Sequence, residues 1–388
     1  MCKLKEITER VKGNDGRMDL PTLTISAGQG WLNQKDRFSG NIAGKEQKNY
    51  TLLLKNELSY NHGNSKLAKY GAVFLLKTYE EALVPRVYHS FKSTKNSDPD
   101  FLEYIFATKK PDKELGKLVS SGARMDGLLN INYDDFSNIK INIPHVHEQK
   151  KISNLLRKID NTITLHQRKL EQLKELKTAY LQVMFVSMKT KNNKVPKLRF
   201  ADFGGEWDQR KSKELFIPKS EKNQPNLPVL SVTQDSGVVY RDQVGIDIKY
   251  DSTTLKNYKV VNKNDFVISL RSFQGGFELS DKKGITSPAY TIFVPKDIKL
   301  HDNLFWKTQF KTFQFIEALK TVTFGIRDGK SISFTEFGDL KLCFPKNKKE
   351  QQKIGKFFEE LDYAISLHQN KLTQLKSLKK SYLQNMFI

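Results

Sequence analysis

One segment occurs twice in this chain, and that duplication limits the possible architecture more than any other feature. Glu148–Phe185 and Glu350–Phe387 align without a gap, each residue recurring 202 positions later, with roughly half the positions identical. Each copy closes a half of the 388-residue chain that carries its own globular segment. Fainter matches extend the repeat. Lys5-Glu6-Ile7 corresponds to Lys213-Glu214-Leu215, and Leu20-Pro21-Thr22-Leu23 to Leu227-Pro228-Val229-Leu230. Lys55-Asn56-Glu57 corresponds to Lys263-Asn264-Asp265, and the run from Asp135-Phe136 to Pro144 to that from Glu336-Phe337 to Pro345. Between these framework positions the halves diverge, as in Gly28–Asn49 against Asp235–Asn257. A shared scaffold with two different surfaces suits a target with two separated parts.

The repeated segment is a heptad helix. Ile152, Leu156, Ile159, Ile163, His166, Leu170, Leu173, Lys177, Tyr180 and Met184 alternate in steps of three and four. Ile354, Phe358, Leu361, Ile365, His368, Leu372, Leu375, Lys379, Tyr382 and Met386 repeat the seam in the same register. A helix of about 36 residues would run about 54 Å, longer than a domain of this size needs for its own packing. The two copies are therefore expected to pair with each other as an antiparallel coiled coil, with His166 near His368 at its middle and a globular half at each end. Ile159, His166, Leu173, Tyr180, Leu361, His368, Leu375 and Tyr382 are the expected interface. Leu155, Leu165, Leu176 and Leu181, with Phe357, Leu367, Leu378 and Leu383, widen the apolar face beyond a two-helix seam. That extra width predicts a further protein partner.

The globular halves read as mixed. Leu20–Ser26, Tyr70–Leu76, Val229–Val232, Asp265–Leu270, Tyr290–Val294 and Leu340–Phe344 have the composition of short strands bounded by Gly, Pro and Asn turns. Asp100–Lys109 and Leu304–Leu319 look helical. The fold class is α+β: two mixed α/β domains joined by two long helices that form an antiparallel coiled coil. The boundaries are 1–144, a helix over 145–186, a polar linker over 187–194, a second domain over 195–345 and a closing helix over 346–388.

Lysine and arginine total 65 against 43 aspartates and glutamates, a net charge of +22. Such a surplus favours a polyanionic partner, most often nucleic acid. Cys2 and Cys343 are lone thiols, so neither a disulfide framework nor a metal-binding spacing is available and a reducing compartment is expected. The opening MCKLKEITER has no signal-peptide core, and no apolar run approaches the roughly 20 residues of a membrane span. The expectation is a soluble cytoplasmic protein with no membrane association.

A search for catalytic chemistry finds only weak imitations. Gly28-Gln-Gly30 lacks the following glycine of a dinucleotide loop, and Gly325-Ile-Arg-Asp-Gly329-Lys330-Ser331 is one residue short of a phosphate loop. Pro111-Asp112 with Glu148-Gln-Lys150 imitates a nuclease pattern, but Glu148 opens the heptad helix and its twin continues Glu350-Gln-Gln352. His145-Val-His147 has no partner set for zinc. No catalytic residue, no metal site and no directly bound cofactor is expected.

Several features occur twice: Gly-x-Arg, a strand ending in Pro, Glu-Gln-x-x-Ile, and a heptad ending Tyr-Leu-Gln-x-Met-Phe. Together they resemble the specificity subunits of bacterial type I restriction–modification systems. Pro196-Lys-Leu-Arg-Phe200 and Gly205-Glu-Trp207 resemble the usual opening of a target-recognition domain in that family, and the first half has no counterpart of Val195–Trp207. The resemblance implies a non-enzymatic subunit whose two domains each read one half of a bipartite, asymmetric double-stranded DNA target. It also implies that the helices set the spacer and dock two modification (methyltransferase) subunits, which restriction/translocase subunits can join. S-adenosylmethionine, ATP and Mg²⁺ would then belong to those partners. The rival reading is a free-standing DNA- or RNA-binding regulator of the same dumbbell design.

Base reading needs side-chain donors and acceptors at loop tips, whereas phosphate contacts need mainly positive charge. The second half offers Arg271, Ser272 and Gln274 beside Gly275-Gly276, then Arg327 with Lys330, and Gln234 with Arg241. The first offers Asn61, Asn64, Lys66, Arg86, Arg124 and Gln29. Arg124 and Arg327 occupy matching positions and are expected to contact phosphate or framework. Arg271 and Gln274 have no twin and are expected to read sequence.

Overall fold

The structure is a computed structural model that describes residues 1–38, 44–119, 128–186, 194–233, 236–244, 252–269, 276–322 and 332–387. It divides into two compact units, Met1–Gln167 with Asn370–Ile388, and Arg168–Gln369. Each long helix therefore contributes one part to each unit.

In the first unit the chain runs β1 (Cys2–Lys3), β2 (Thr8–Val11), β3 (Leu23–Ser26), β4 (Gly30–Asn33), α1 (Gln34–Phe38), β5 (Thr51–Leu54), β6 (Leu58–Asn61) and β7 (Ala72–Leu75). It continues through β8 (Glu81–Val84), β9 (His89–Ser93), α2 (Pro99–Ala107), α3 (Asp112–Leu118), α4 (Tyr133–Ser137) and β10 (Lys140–Ile141) into the long α5 (Val146–Val183). The main sheet has the order β2-β9-β6-β7 and is antiparallel throughout, with Thr8 opposite Ser93 and Leu58 opposite both Phe91 and Leu75. Three two-stranded ladders, β3-β4, β5-β8 and β1-β10, complete the β structure described in this unit.

The second unit repeats this plan. Its elements are β11 (Asp208–Lys211), α6 (Ser212–Leu215), β12 (Phe216–Lys219), β13 (Leu230–Thr233), β14 (Gly237–Tyr240), β15 (Lys259–Val261), β16 (Phe266–Ile268), β17 (Phe277–Leu279), β18 (Gly284–Thr286) and β19 (Thr291–Pro295). Then come α7 (Asn303–Gln309), α8 (Phe313–Val322), α9 (Phe334–Gly338), β20 (Lys341–Phe344) and the second long helix α10 (Lys348–Asn385). The main sheet is β12-β19-β16-β17, the same order as in the first unit, and β13-β14, β15-β18 and β11-β20 match the three small ladders. The duplication read from the helices therefore extends to strand order.

Local chemistry explains the shared turns. Asn56 and Asn264 both adopt a left-handed backbone, φ 68° and 71°, a conformation that asparagine tolerates better than most residues. The acidic residue after each closes its turn: Glu57 Oε2 accepts from Leu54 N–H at 2.8 Å, and Asp265 Oδ2 from Asn262 N–H at 2.8 Å. At Gly71, φ 85°, an added Cβ would lie 2.5 Å from the Asn61 carbonyl oxygen, so only glycine fits between β6 and β7. The helix expected over Leu304–Leu319 is two helices. Thr312 breaks it by donating its hydroxyl to Gln309 O at 2.8 Å and accepting from Phe315 N–H at 3.3 Å, which starts α8 afresh.

Each unit has its own core, and the long helices enter both. In the first, Leu58, Tyr60, Phe91, Phe101 and Phe136 pack with Ile152 and Leu156 of α5 and Phe387 at the end of α10. In the second, an aromatic core of Phe216, Phe266, Phe293, Trp306 and Phe310 takes in Met184 and Phe185, which directly follow α5, and Ile354 and Phe358 from α10. Start packs against end in each unit, so the helices pair antiparallel. Every expected seam residue is buried or half-buried, whereas Leu165, Leu176, Leu367 and Leu378 are exposed. No described helix is long and apolar enough to cross a membrane.

Candidate nucleic-acid interface

Both units are fastened to the long helices by the same device. Gln149, fully buried in the first turns of α5, donates to Pro144 O (2.8 Å) and Asn96 O (3.2 Å) and accepts from Asp98 N–H (2.9 Å). Gln351 in α10 donates to Pro345 O (2.8 Å) and Leu300 O (3.2 Å) and accepts from Asp302 N–H (2.9 Å). Asp98 and Asp302 are in turn the N-caps of α2 and α7. One amide thus fixes strand end, helix start and neighbouring cap. The residue before it behaves differently in the two units. Glu350 is 1% exposed and receives Arg199 through both carboxylate oxygens (2.7 and 2.8 Å) and the Trp207 indole N–H (3.3 Å). Its twin Glu148 is exposed.

In the first unit several loops converge at one end of the sheet. Gln29 is exposed at the tip of the β3–β4 hairpin, and Gly28 beside it lies against the side chain of Leu67. Asn64 and Lys66 are exposed in the same β6–β7 connection as Leu67, and Arg86 is exposed between β8 and β9. Asn61 shapes this surface: its side-chain Oδ1 accepts from Gly63 N–H at 3.0 Å and its Nδ2 donates to Ile25 O at 3.4 Å. His62, 8% exposed, ties two loops together through Val87 O (2.9 Å) and Leu129 O (2.6 Å). Its ring stacks on His89 with centroids 5.0 Å apart. Burial pulls the His89 imidazole down to about 4.

In the second unit Arg241 is pinned at the base of the β13–β14 ladder, with its Nε 3.3 Å from Ser231 Oγ and its guanidinium over the Tyr258 ring at 5.9 Å. Behind this face, Glu278 on β17 is buried and ion-paired with Lys311, and burial raises its carboxyl above the usual range. Arg124, Gln234, Arg271, Ser272, Gln274, Arg327 and Lys330 lie outside the described residues. Among the described residues no group of three His, Cys, Asp or Glu could hold a metal ion.

Sequence reasoning passed over Gln149, Gln351 and the Arg199–Glu350–Trp207 cluster. The Glu-Gln pair repeated at both helix starts was the available signal for the glutamines, and the unmatched Val195–Trp207 segment was the signal for the cluster.

The sequence motif that defines Type I restriction modification DNA specificity domains matches residues 5–175 and again 205–377. The chain belongs to that family, with two copies of its domain. Among curated proteins, the MjaX type I restriction enzyme specificity subunit of Methanocaldococcus jannaschii is 22% identical over 302 residues, 73% of this chain and 66% of that protein. The MjaVIII type I restriction enzyme specificity subunit of the same organism is 23% identical over 301 residues, 74% of this chain and 69% of its own length. The chain thus spans about two-thirds of these relatives. Among solved structures, the type I restriction–modification S subunit from M. genitalium has the same fold, with a TM-score of 0.61 at 15% identity over 100% of this chain and 95% of that one. These likenesses give no support to a free-standing regulator.

Proposed function

We propose that this chain is the sequence-reading subunit of a type I restriction–modification complex and recognises a bipartite, asymmetric double-stranded DNA target. Residues 1–144 and 195–345 act as the two target-recognition domains, each reading one half-site. Helices 145–186 and 346–388, with the linker 187–194, set the distance between them. The subunit does no chemistry itself and works in the cytoplasm. It docks two modification subunits, which bring S-adenosylmethionine, and restriction/translocase subunits can join with ATP and Mg²⁺.

The observation that carries this reading is the doubled plan: one strand order, one glutamine clamp and one antiparallel helix contact, each occurring twice, with different loops on the two scaffolds. The exposed leucine twins Leu165/Leu367 and Leu176/Leu378 support a protein partner on the helices, because scattered exposure would not recur in register. In the first domain Gln29, Asn64, Lys66 and Arg86 are free to meet DNA, while Asn61 frames the loop. In the second, Arg271 and Gln274 read bases with Ser272 beside them, Gln234 and Arg241 flank a separate loop, and Arg327, on a loop with Lys330, contacts phosphate or framework, as Arg124 does in the first.

The test is an exchange of residues 195–345 for those of a relative with a different target, read by mapping methylated sites in the assembled complex. One half-site should change and the other stay. A chimera that alters both half-sites would sink the two-reader assignment.

A further inference from the structure

The first unit holds a cavity of about 430 Å³ between the C-terminal end of α2 and the last turns of α10. Lys110, Lys376, Lys379 and Lys380 line it, with Thr108 and Leu383 among its other walls. The volume lies in the range of small-molecule sites, about 300–1,000 Å³. The four lysines line this space largely with their aliphatic stems, and their like charges call for compensation. Part is internal: Lys379 pairs with Asp160 at 2.5 Å, and Lys110 donates to the Phe387 carbonyl. The carbonyls ending α2 are already used, since Thr108 donates its N–H to Tyr104 O and its hydroxyl to Ile105 O at 2.6 Å. Lys376 and Lys380 are exposed at the rim.

The second unit serves as an internal control, because its framework is the same. There Thr178 stands where α10 has Lys380 and Gln314 where α2 is followed by Lys110, while Lys174 stands where α10 has Lys376. Lys311 replaces Ala107, but it pairs with the buried Glu278. Lys177 and Asp362 repeat the Lys379–Asp160 pair. Both units thus keep the Lys–Asp pair and the lysine at the position of Lys376, whereas Lys110 and Lys380 are found in the first unit alone. Ammonium groups recognise phosphate as point charges.

We propose that this cavity is a phosphate-binding site, separate from the loops that read sequence. Two sources offer that chemistry: the backbone of bound DNA and a free polyphosphate. Lys376 and Lys380 supply the charge at the entrance, while Lys379, held by Asp160, and Lys110, held by the Phe387 carbonyl, form the floor. The inference does not rest on the assignment of the subunit to a restriction complex.

The test uses the full chain and the double variant Lys376→Gln/Lys380→Gln. Lys169→Gln/Lys174→Gln, on exposed positions of α5 in the other unit, serves as the control. In the first arm, inorganic tripolyphosphate is titrated by calorimetry at low salt, and the cavity variant should bind about tenfold more weakly while the control is unchanged. In the second arm, a duplex of arbitrary sequence is titrated at several salt concentrations. If the phosphate is that of DNA, the slope of log K against log salt should fall by about 1–2 in the cavity variant alone. A change in the first arm only assigns a free polyphosphate; a change in the second only assigns the DNA backbone. No change in either arm, or equal changes in both double variants, overturns the proposal.

Discussion

In the first unit Lys379 Nζ of α10 lies 2.5 Å from Asp160 Oδ1 of α5. In the second unit Lys177 of α5 lies 2.5 Å from Asp362 of α10. Asp160 and Asp362 are 202 residues apart, as are Lys177 and Lys379. A single sequence segment, duplicated and run antiparallel to its copy, therefore makes the same ion pair twice with the donor helix exchanged. Only an antiparallel arrangement lets identical copies satisfy each other in this way.

These pairs are about a third exposed, so their strength is modest, about 0.5–1 kcal/mol. Asp160→Lys, which sets two lysines face to face, should lower stability by about 1 kcal/mol in urea unfolding, and adding Lys379→Asp should restore most of it. If the double variant loses the full sum of its two single losses, the pair contributes nothing to stability.

The buried glutamines matter more. Gln149→Leu keeps the approximate volume but leaves the Asp98 N–H and the Pro144 carbonyl without their partner. The expected cost is about 2–4 kcal/mol. Gln172→Leu, on an exposed position of α5, should stay within about 0.5 kcal/mol. Equal effects at the two sites would show that Gln149 is no clamp.

How far the sequence reveals this fold depends on the range of the interaction. The long helices are legible because a heptad is a local, repeating signal, and Ile152, Leu156, Ile354 and Phe358 are buried where the seam requires. The strands at Leu23–Ser26 and Lys341–Phe344 fall inside runs whose composition marks them, and Leu230–Thr233 overlaps the run Val229–Val232 and passes it by one residue. Strand order is not legible. His89–Ser93 inserts between Thr8–Val11 and Leu58–Asn61, and nothing local in these segments names its neighbours. The break at Thr312 also escaped, because a threonine within an apolar periodic run reads as helix until its hydroxyl is seen bonded to Gln309 O. The candidate reading residues came from residue type and turn position alone. Such reasoning locates exposed loops such as those of Gln29 and Arg86, but it could not show that the Asn61 amide is engaged with Gly63 and Ile25.

His89 should give the first unit a dependence on acid. Burial is the main cause of its lowered pKa, about 4 against an ordinary 6.5, with His62 and Arg10 acting in the same direction and the Ile131 carbonyl opposing them. The folded protein therefore takes up its proton later than the unfolded chain as pH falls. Stability should be full above about pH 6.5, decline between about 6.5 and 4, and lose nothing further from this group below 4. Between pH 7 and 5 the loss should be about 1–2 kcal/mol. His89→Gln, whatever its effect at pH 7, should reduce that pH-dependent loss. Chemical denaturation of both proteins at the two pH values checks this, and an unchanged pH slope in the variant would mean that His89 does not titrate as its burial requires.

The spacing role of the helices can be tested without disturbing either ion pair. Asp160 and Lys379 belong to one unit and Lys177 and Asp362 to the other, so insertions near the boundary between the units leave each pair intact. Seven residues added after Leu170 and seven after Leu372 keep the 3.5-residue seam in phase and lengthen each helix by about 10 Å. One base pair rises about 3.4 Å along the duplex, so this corresponds to about three base pairs. With the proposed modification partners, the methylated sites should keep both half-site sequences and acquire a spacer about three base pairs longer. The helices would then set distance as well as hold the subunits together. A folded variant that still methylates the original spacer would show that they only hold the assembly, and the distance would have to be set by the partners or by bending of the DNA.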